Sequence, residues 1–180
     1  AAELVVHQRI KLIVRQFLDR GIVGPEDQPR FESLIASVMR LRNSTLAEVL
    51  LLAFSIFGGY WIGKRYIGME VATWYVAPIN GQTQVTAAGY WYLFVSMTVV
   101  RFLLFRWYFR LFVWYRFLWQ VSRHVRLQLN ALHPDRAGGL AFLSGSVFAF
   151  APILLAHTIG LAGTFGNKIW YEGATLPQFE

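Results

Sequence analysis

Leu140-Ala-Phe-Leu-Ser-Gly-Ser-Val-Phe-Ala-Phe-Ala-Pro-Ile-Leu-Leu-Ala-His-Thr-Ile-Gly-Leu-Ala-Gly163 holds no aspartate, glutamate, lysine or arginine. A helix rises about 1.5 Å per residue and roughly 20 apolar residues cross the bilayer hydrocarbon, so this stretch can span a membrane, with Pro152 as its expected kink. Two earlier stretches have the same character. Leu46 to Gly63 is apolar and stops at Lys64 and Arg65. Tyr90, Trp91 and Tyr92 open the other, and Trp107 and Tyr108 follow at the distance of the opposite interface, where amphipathic aromatic rings collect. The reading is an all-α fold: an α-helical multi-pass membrane protein with three transmembrane helices near 46–63, 90–108 and 140–163.

Composition points the same way. Hydrophobic residues make up 56% of the chain and aromatics 17%, with a mean hydropathy of +0.41. A soluble domain of this size does not need that much for its core, so the surplus requires apolar surroundings. The formal charge is +7, but the arginines are interleaved with aromatic and aliphatic runs rather than gathered on one polar face. That pattern argues against nucleic acid and for membrane lipids with anionic headgroups. The absence of cysteine excludes disulfides, thiolate metal sites and cysteine nucleophiles. Glu3, His7, Arg9, Lys11 and Arg15 interrupt any signal-peptide core, so insertion is expected to use the internal spans.

Lysine and arginine are distributed unevenly about those spans. Arg9, Lys11, Arg15, Arg20, Arg30, Arg40 and Arg42 precede the first; Arg110, Arg116, Arg123, Arg126 and Arg136 lie between the second and third. The other side has Lys64, Arg65 and Lys168. The positive-inside rule then predicts a cytoplasmic N-terminus and 110–138 connection, with the 66–88 loop and the C-terminus outside.

Flanking segments divide the chain into three parts. Residues 1–45 form an amphipathic cytoplasmic-side pair of helices, broken at Gly24-Pro25 and resumed at Pro29, lying on the membrane surface or against a protein partner. Residues 46–163 form the membrane domain, and 164–180 a polar C-terminal tail. Thr45 and Glu48 have the spacing of a capping box. Asn80-Gly81, between Val76–Ile79 and Gln82–Val85, reads as a hairpin turn. Past Tyr108 the helical pattern continues to Leu129, and Asp135 is placed to cap the third span.

Helix association in lipid depends on close approach of small residues. Ser55, Gly59 and Gly63 supply a groove on the first span; Ala141, Gly145, Ala149, Ala156, Gly160 and Gly163 supply one along the third. The outer halves of the two grooves are expected to meet. The inner groove at Ala141 and Gly145 is expected to accept aromatic side chains of the second span or of another chain.

Arg101 falls near the middle of the second span, where an arginine costs at least ~2.5 kcal/mol on insertion scales. Either it lines an aqueous path for anions with Ser144 and Ser146, or it snorkels or binds a backbone carbonyl. Glu48 and Arg106 are a candidate interhelical ion pair. His124 and His133 belong to one side and His157 to the other, a separation that opposes a bis-histidine haem; no cofactor or metal is assigned. Nucleotide-binding, metalloprotease and nucleophile-elbow motifs are absent from the sequence. The most distinctive polar string is His133-Pro-Asp-Arg-Ala-Gly-Gly139. It is either a headgroup site, with His133, Asp135, Arg136 and free N–H groups converging at a helix start, or a tight interhelical turn.

With the residues that follow, His133-Pro-Asp-Arg-Ala-Gly-Gly-Leu-Ala-Phe-Leu143 resembles a string found in a family of bacterial multi-pass inner-membrane proteins that have no settled activity. The resemblance covers roughly residues 100–160, more weakly Arg40 to Leu52, with Ala141 where the family has glycine. It implies placement in the bacterial inner membrane and, because such proteins are longer, that this chain is a piece of a larger one. Two functions follow from the whole reading: a noncatalytic subunit of a homo- or hetero-oligomeric membrane complex, or a component of an anion or small-solute channel. A lipid-acting enzyme using His133, Asp135 and Arg136 is a weaker third.

Overall fold

A computed structural model describes residues 2–66, 76–79, 82–173 and 175. The helices are α1 (Ala2–Asp19), α2 (Gln28–Arg42), α3 (Thr45–Tyr66), α4 (Ala87–Tyr90), α5 (Met97–His124) and α6 (Gly145–Glu172). A π-helical turn, Trp91–Ser96, joins α4 to α5 without a break, and a 3-10 turn, Ala141–Ser144, leads into α6. Strands β1 (Val76–Ile79) and β2 (Gln82–Val85) form the antiparallel hairpin read from the sequence, in the register Val76 to Val85. Its turn, Asn80-Gly81, lies outside the described residues.

Two helices are long and apolar enough to cross a membrane: Ala87–His124 and Ala141–Trp170. The expected third, near 46–63, qualifies only when Gln28–Arg42 and Thr45–Trp61 are taken together as a pair bent by 42°. The break between them has a local cause. Ser44 Oγ accepts the Ala47 N–H at 3.3 Å and Ser44 O accepts the Glu48 N–H, so Ser44, not Thr45, caps α3. Glu48 is thereby not needed for a capping box.

The chain forms two compact units, and their boundaries do not follow the divisions expected at 45 and 163. The first comprises residues 1–31 and 122–180. Its core is the packing of α1 on the start of α6. Val6, Ile13 and Phe17 are buried on α1, Ala149 and Ile153 on α6. The Phe17 ring stands edge-on to Phe142 at 5.1 Å, and a β-carbon at Gly145 would meet Ile13 Cδ1 at 3.6 Å. Moving back along α1 therefore moves forward along α6, and the two run antiparallel. At Gly145 the inner small-residue groove thus meets an aliphatic side chain of α1. Gly21, at φ +64, turns the chain out of α1.

The helical pattern read as far as Leu129 ends instead at His124. Residues 125–130 leave the helix because the segment after α1 supplies partners: Val23 bridges Leu127, Ile22 O accepts the Gln128 N–H at 2.8 Å, and Asp27 accepts the Arg126 N–H at 3.0 Å. α6 continues past Gly163 to Glu172, so part of the expected polar tail is helical. Gly173 ends it in the left-handed region at φ 65, donating to Lys168 O.

The second unit comprises residues 32–121. There α3 runs antiparallel to the π turn and α5. Ser55, fully buried, donates to Thr98 O at 2.8 Å, and Phe54 lies against Phe105 at 5.1 Å. A stripe of Val113, Trp114, Phe117 and Val121 is buried on α5.

Candidate functional site

Two polar constellations stand out, one in each unit. In the second unit, Arg101 is partly buried beside the π turn. The last bond of that turn runs from the Met97 N–H to Tyr92 O, five residues back. Returning to four-residue spacing skips one carbonyl, and the next in line is Leu93 O. Arg101 Nη2 donates to Leu93 O at 3.4 Å and to Thr98 Oγ1 at 3.3 Å. The side chain thus reaches back two turns to a carbonyl that the helix change loosens.

Glycine makes room for it. A β-carbon at Gly59 would lie 2.8 Å from Arg101 Cζ, inside van der Waals contact, so the guanidinium rests on bare backbone of α3. Around it is a hollow of about 330 Å³ walled by Ile56, Phe57, Tyr60 and Phe94. Arg101 Nε is buried there with no hydrogen-bond partner. Of the two sequence readings of Arg101, this geometry matches the one in which it binds a backbone carbonyl. Ser144 and Ser146 donate to Ala141 O and Leu143 O, each at 2.7 Å, so both hydroxyls are used within their own helix start.

Arg106 Nη2 and Glu48 Oε1 are 3.2 Å apart, so the structure brings the candidate ion pair together on the exposed side of α3 and α5. Exposed pairs contribute little, on the order of 0–1 kcal/mol. Of the helix-packing residues, Ser55, Gly59, Gly145 and Ala149 have close neighbours, whereas Ala141 and Ala156 are exposed and Gly160 and Gly163 have open space where a β-carbon would stand. The surroundings of Gly63 lie outside the described residues. His157 uses Nδ1 on Ile153 O, one turn back, at 2.8 Å.

The second constellation is the 128–141 connection of the first unit. Asp135 organises it. Oδ1 accepts the N–H groups of Ala137 at 2.9 Å and Gly139 at 3.0 Å, and Oδ2 accepts that of Ala141 at 3.1 Å. Partial burial alone would push its carboxyl up, but these three donors and His133 outweigh that and hold it well below the usual carboxylate range. His133 Nδ1 is 2.8 Å from Oδ1. The Asp135 N–H also points at His133 Nδ1, at 3.3 Å, so this ring nitrogen faces both the backbone and the carboxylate of Asp135. Asp135 does cap the next helix, at Ala141. The same bonds consume the N–H groups that a headgroup at this helix start would have used. Arg136 is exposed at φ 55 and turns the chain between these donors.

Beside this loop is a hollow of about 360 Å³ lined by Arg20, Ile22, Gln128, Asn130, His133 and the backbone of Gly138 and Gly139. Arg20, Gln128 and Asn130 were not singled out as site residues from the sequence. They converge because Ile22 and Val23 pair with Leu127 and Gln128, a contact between segments about a hundred positions apart that no local pattern announces. Among the described residues no group of three histidines, aspartates or glutamates could hold a metal. No protein-family model, curated protein or solved structure matches the chain.

Proposed function

We propose that this protein is a noncatalytic subunit of a homo- or hetero-oligomeric complex in the bacterial inner membrane. In this reading it crosses the bilayer three times, with the N-terminus and the 110–138 connection cytoplasmic. One observation carries it: the apolar surfaces of the long helices are bare. Only 6% of the most apolar window of Ala87–His124 and 22% of that of Ala141–Trp170 is buried. Phe57 is 72% exposed, Trp91 66%, Phe148 68% and Leu154 65%, which water does not favour and lipid or partner helices do. Open space at Gly160, Gly163 and Gly166 leaves a face on which another helix can approach closely. The channel reading has less support, because the walls around Arg101 are apolar and its guanidinium is engaged by its own helix.

Extraction in mild detergent is expected to yield a particle heavier than one chain in its micelle. A monodisperse single chain would remove the subunit reading, and a protein that stays monodisperse in plain buffer would remove the membrane reading. For orientation, a cysteine at Gln82 is expected to react with an impermeant thiol reagent in intact cells and one at Gln128 is not; the reverse labelling would invert the topology.

A further inference from the structure

We propose that the hollow of the first unit, between the end of α1 and the 128–139 connection, is a binding site for a phosphoryl group, carried by a lipid headgroup or by free phosphate. Its polar lining is Arg20, Gln128, Asn130 and His133, contributed by two segments distant in sequence, and no carboxylate lines it. Arg20 and Asn130 have donor capacity to spare. Asn130 Oδ1 is taken by the Leu132 N–H at 3.0 Å, which turns the Nδ2 amino group toward other partners. Arg20 has no carboxylate partner among the described residues; its guanidinium is backed by the Phe142 ring at 5.4 Å, which leaves its N–H edge for a ligand. His133 Nδ1 faces Asp135, so Nε2 is the nitrogen left to a ligand, a donor only in the imidazolium form.

A hollow whose charged lining group is a guanidinium, with amides beside it and no carboxylate, suits an oxyanion. Phosphoryl oxygens offer several acceptors at once, and guanidinium recognises them bidentately. A volume of about 360 Å³ exceeds what a lone phosphate fills and reaches the size of small-molecule pockets, which favours a phosphoryl group bearing an organic substituent. The 3-10 turn leading into α6 begins two residues after Gly139. On the membrane reading above, the hollow therefore lies at headgroup level; the preference for lipid over free phosphate rests on that reading, and the phosphoryl chemistry does not. This differs from the site expected from the sequence, because Arg136 does not line it and the N–H groups of Ala137, Gly139 and Ala141 are held by Asp135.

The full chain in maltoside micelles, which contain no phosphate, is titrated calorimetrically with inorganic phosphate and with short-chain phosphatidylglycerol. Saturable binding of both assigns the site to phosphate as such; binding of the lipid alone assigns it to a headgroup. Arg20→Gln and Gln128→Leu are each expected to weaken binding roughly ten- to a hundredfold, the effect of losing a hydrogen bond to a charged group. Arg136→Gln is expected to leave it unchanged, and near-UV circular dichroism verifies that each variant is folded. No saturable binding of either ligand, or equal affinity in Arg20→Gln, Gln128→Leu and the unaltered protein, overturns the proposal. Should the protein prove soluble without detergent, the phosphate titration is run in buffer, so the membrane reading can fail while this site stands.

Discussion

Replacing Phe17 by alanine is expected to cost the first unit about 3–5 kcal/mol, the usual penalty for deleting a buried aromatic side chain. Phe17 is 1% exposed, its ring centroid 5.5 Å from that of Phe31 and 5.1 Å from that of Phe142. Its removal opens a cavity where the rings of Phe31 and Phe142 meet α1. Thermal unfolding in detergent, followed by tryptophan fluorescence, measures the loss. Leu12→Ala, at a position 57% exposed on the same helix, should change little. Equal effects at the two positions would mean that α1 does not depend on this cluster.

Asp135→Ala is the second large effect, and it acts on the backbone. Three N–H groups lose their acceptor together, and hydrogen exchange at Ala137, Gly139 and Ala141 is expected to accelerate by roughly tenfold or more. Unchanged exchange would show that the loop is held by other bonds. The pH dependence has a definite sign. The folded carboxyl lies below its unfolded value of about 3.9, so its ionised form is favoured by folding. This contribution is fully present above about pH 5, declines as pH falls through the unfolded value and vanishes only below the folded one. The stability difference between the unaltered protein and Asp135→Asn should therefore be flat near neutrality and shrink in acid.

Local chemistry made much of this legible before any coordinates. Asn80-Gly81 between short β-prone runs gave the hairpin, the break at Gly24-Pro25 separated α1 from α2, and Asp135 was recognisable as a helix cap. Expectations failed where two local signals competed or where a distant segment intervened. Ser44 and Thr45 both carry a hydroxyl suited to capping, and the spacing to Glu48 favoured the wrong one. The periodicity beyond His124 was real, with Val121 and Val125 both buried, yet residues 125–128 left the helix where Ile22 and Val23 pair with Leu127 and Gln128. Arg101 stands out in the sequence as an arginine within an apolar stretch, whereas the π turn that gives it an acceptor is invisible to composition. The lining of the phosphoryl site was legible only at His133, since Arg20 and Gln128 are ordinary surface residues until α1 is folded back.

The docking of α1 shifts where a bilayer can sit. Arg9, Lys11 and Arg15 are exposed on a helix that lies antiparallel to α6 as far as the buried Ile153. Charges so placed belong in the polar interfacial layer, which excludes hydrocarbon from the first turns of α6. On the membrane reading proposed above, the stretch left to the hydrocarbon is the part of α6 that follows Ile153, up to Trp170. From Thr158 to Trp170 every residue is exposed, and Lys168 and Trp170 are suited to anchor the far boundary. On that reading the crossing begins later in α6 than its first turn, and the hollow beside Arg20 lies at headgroup level.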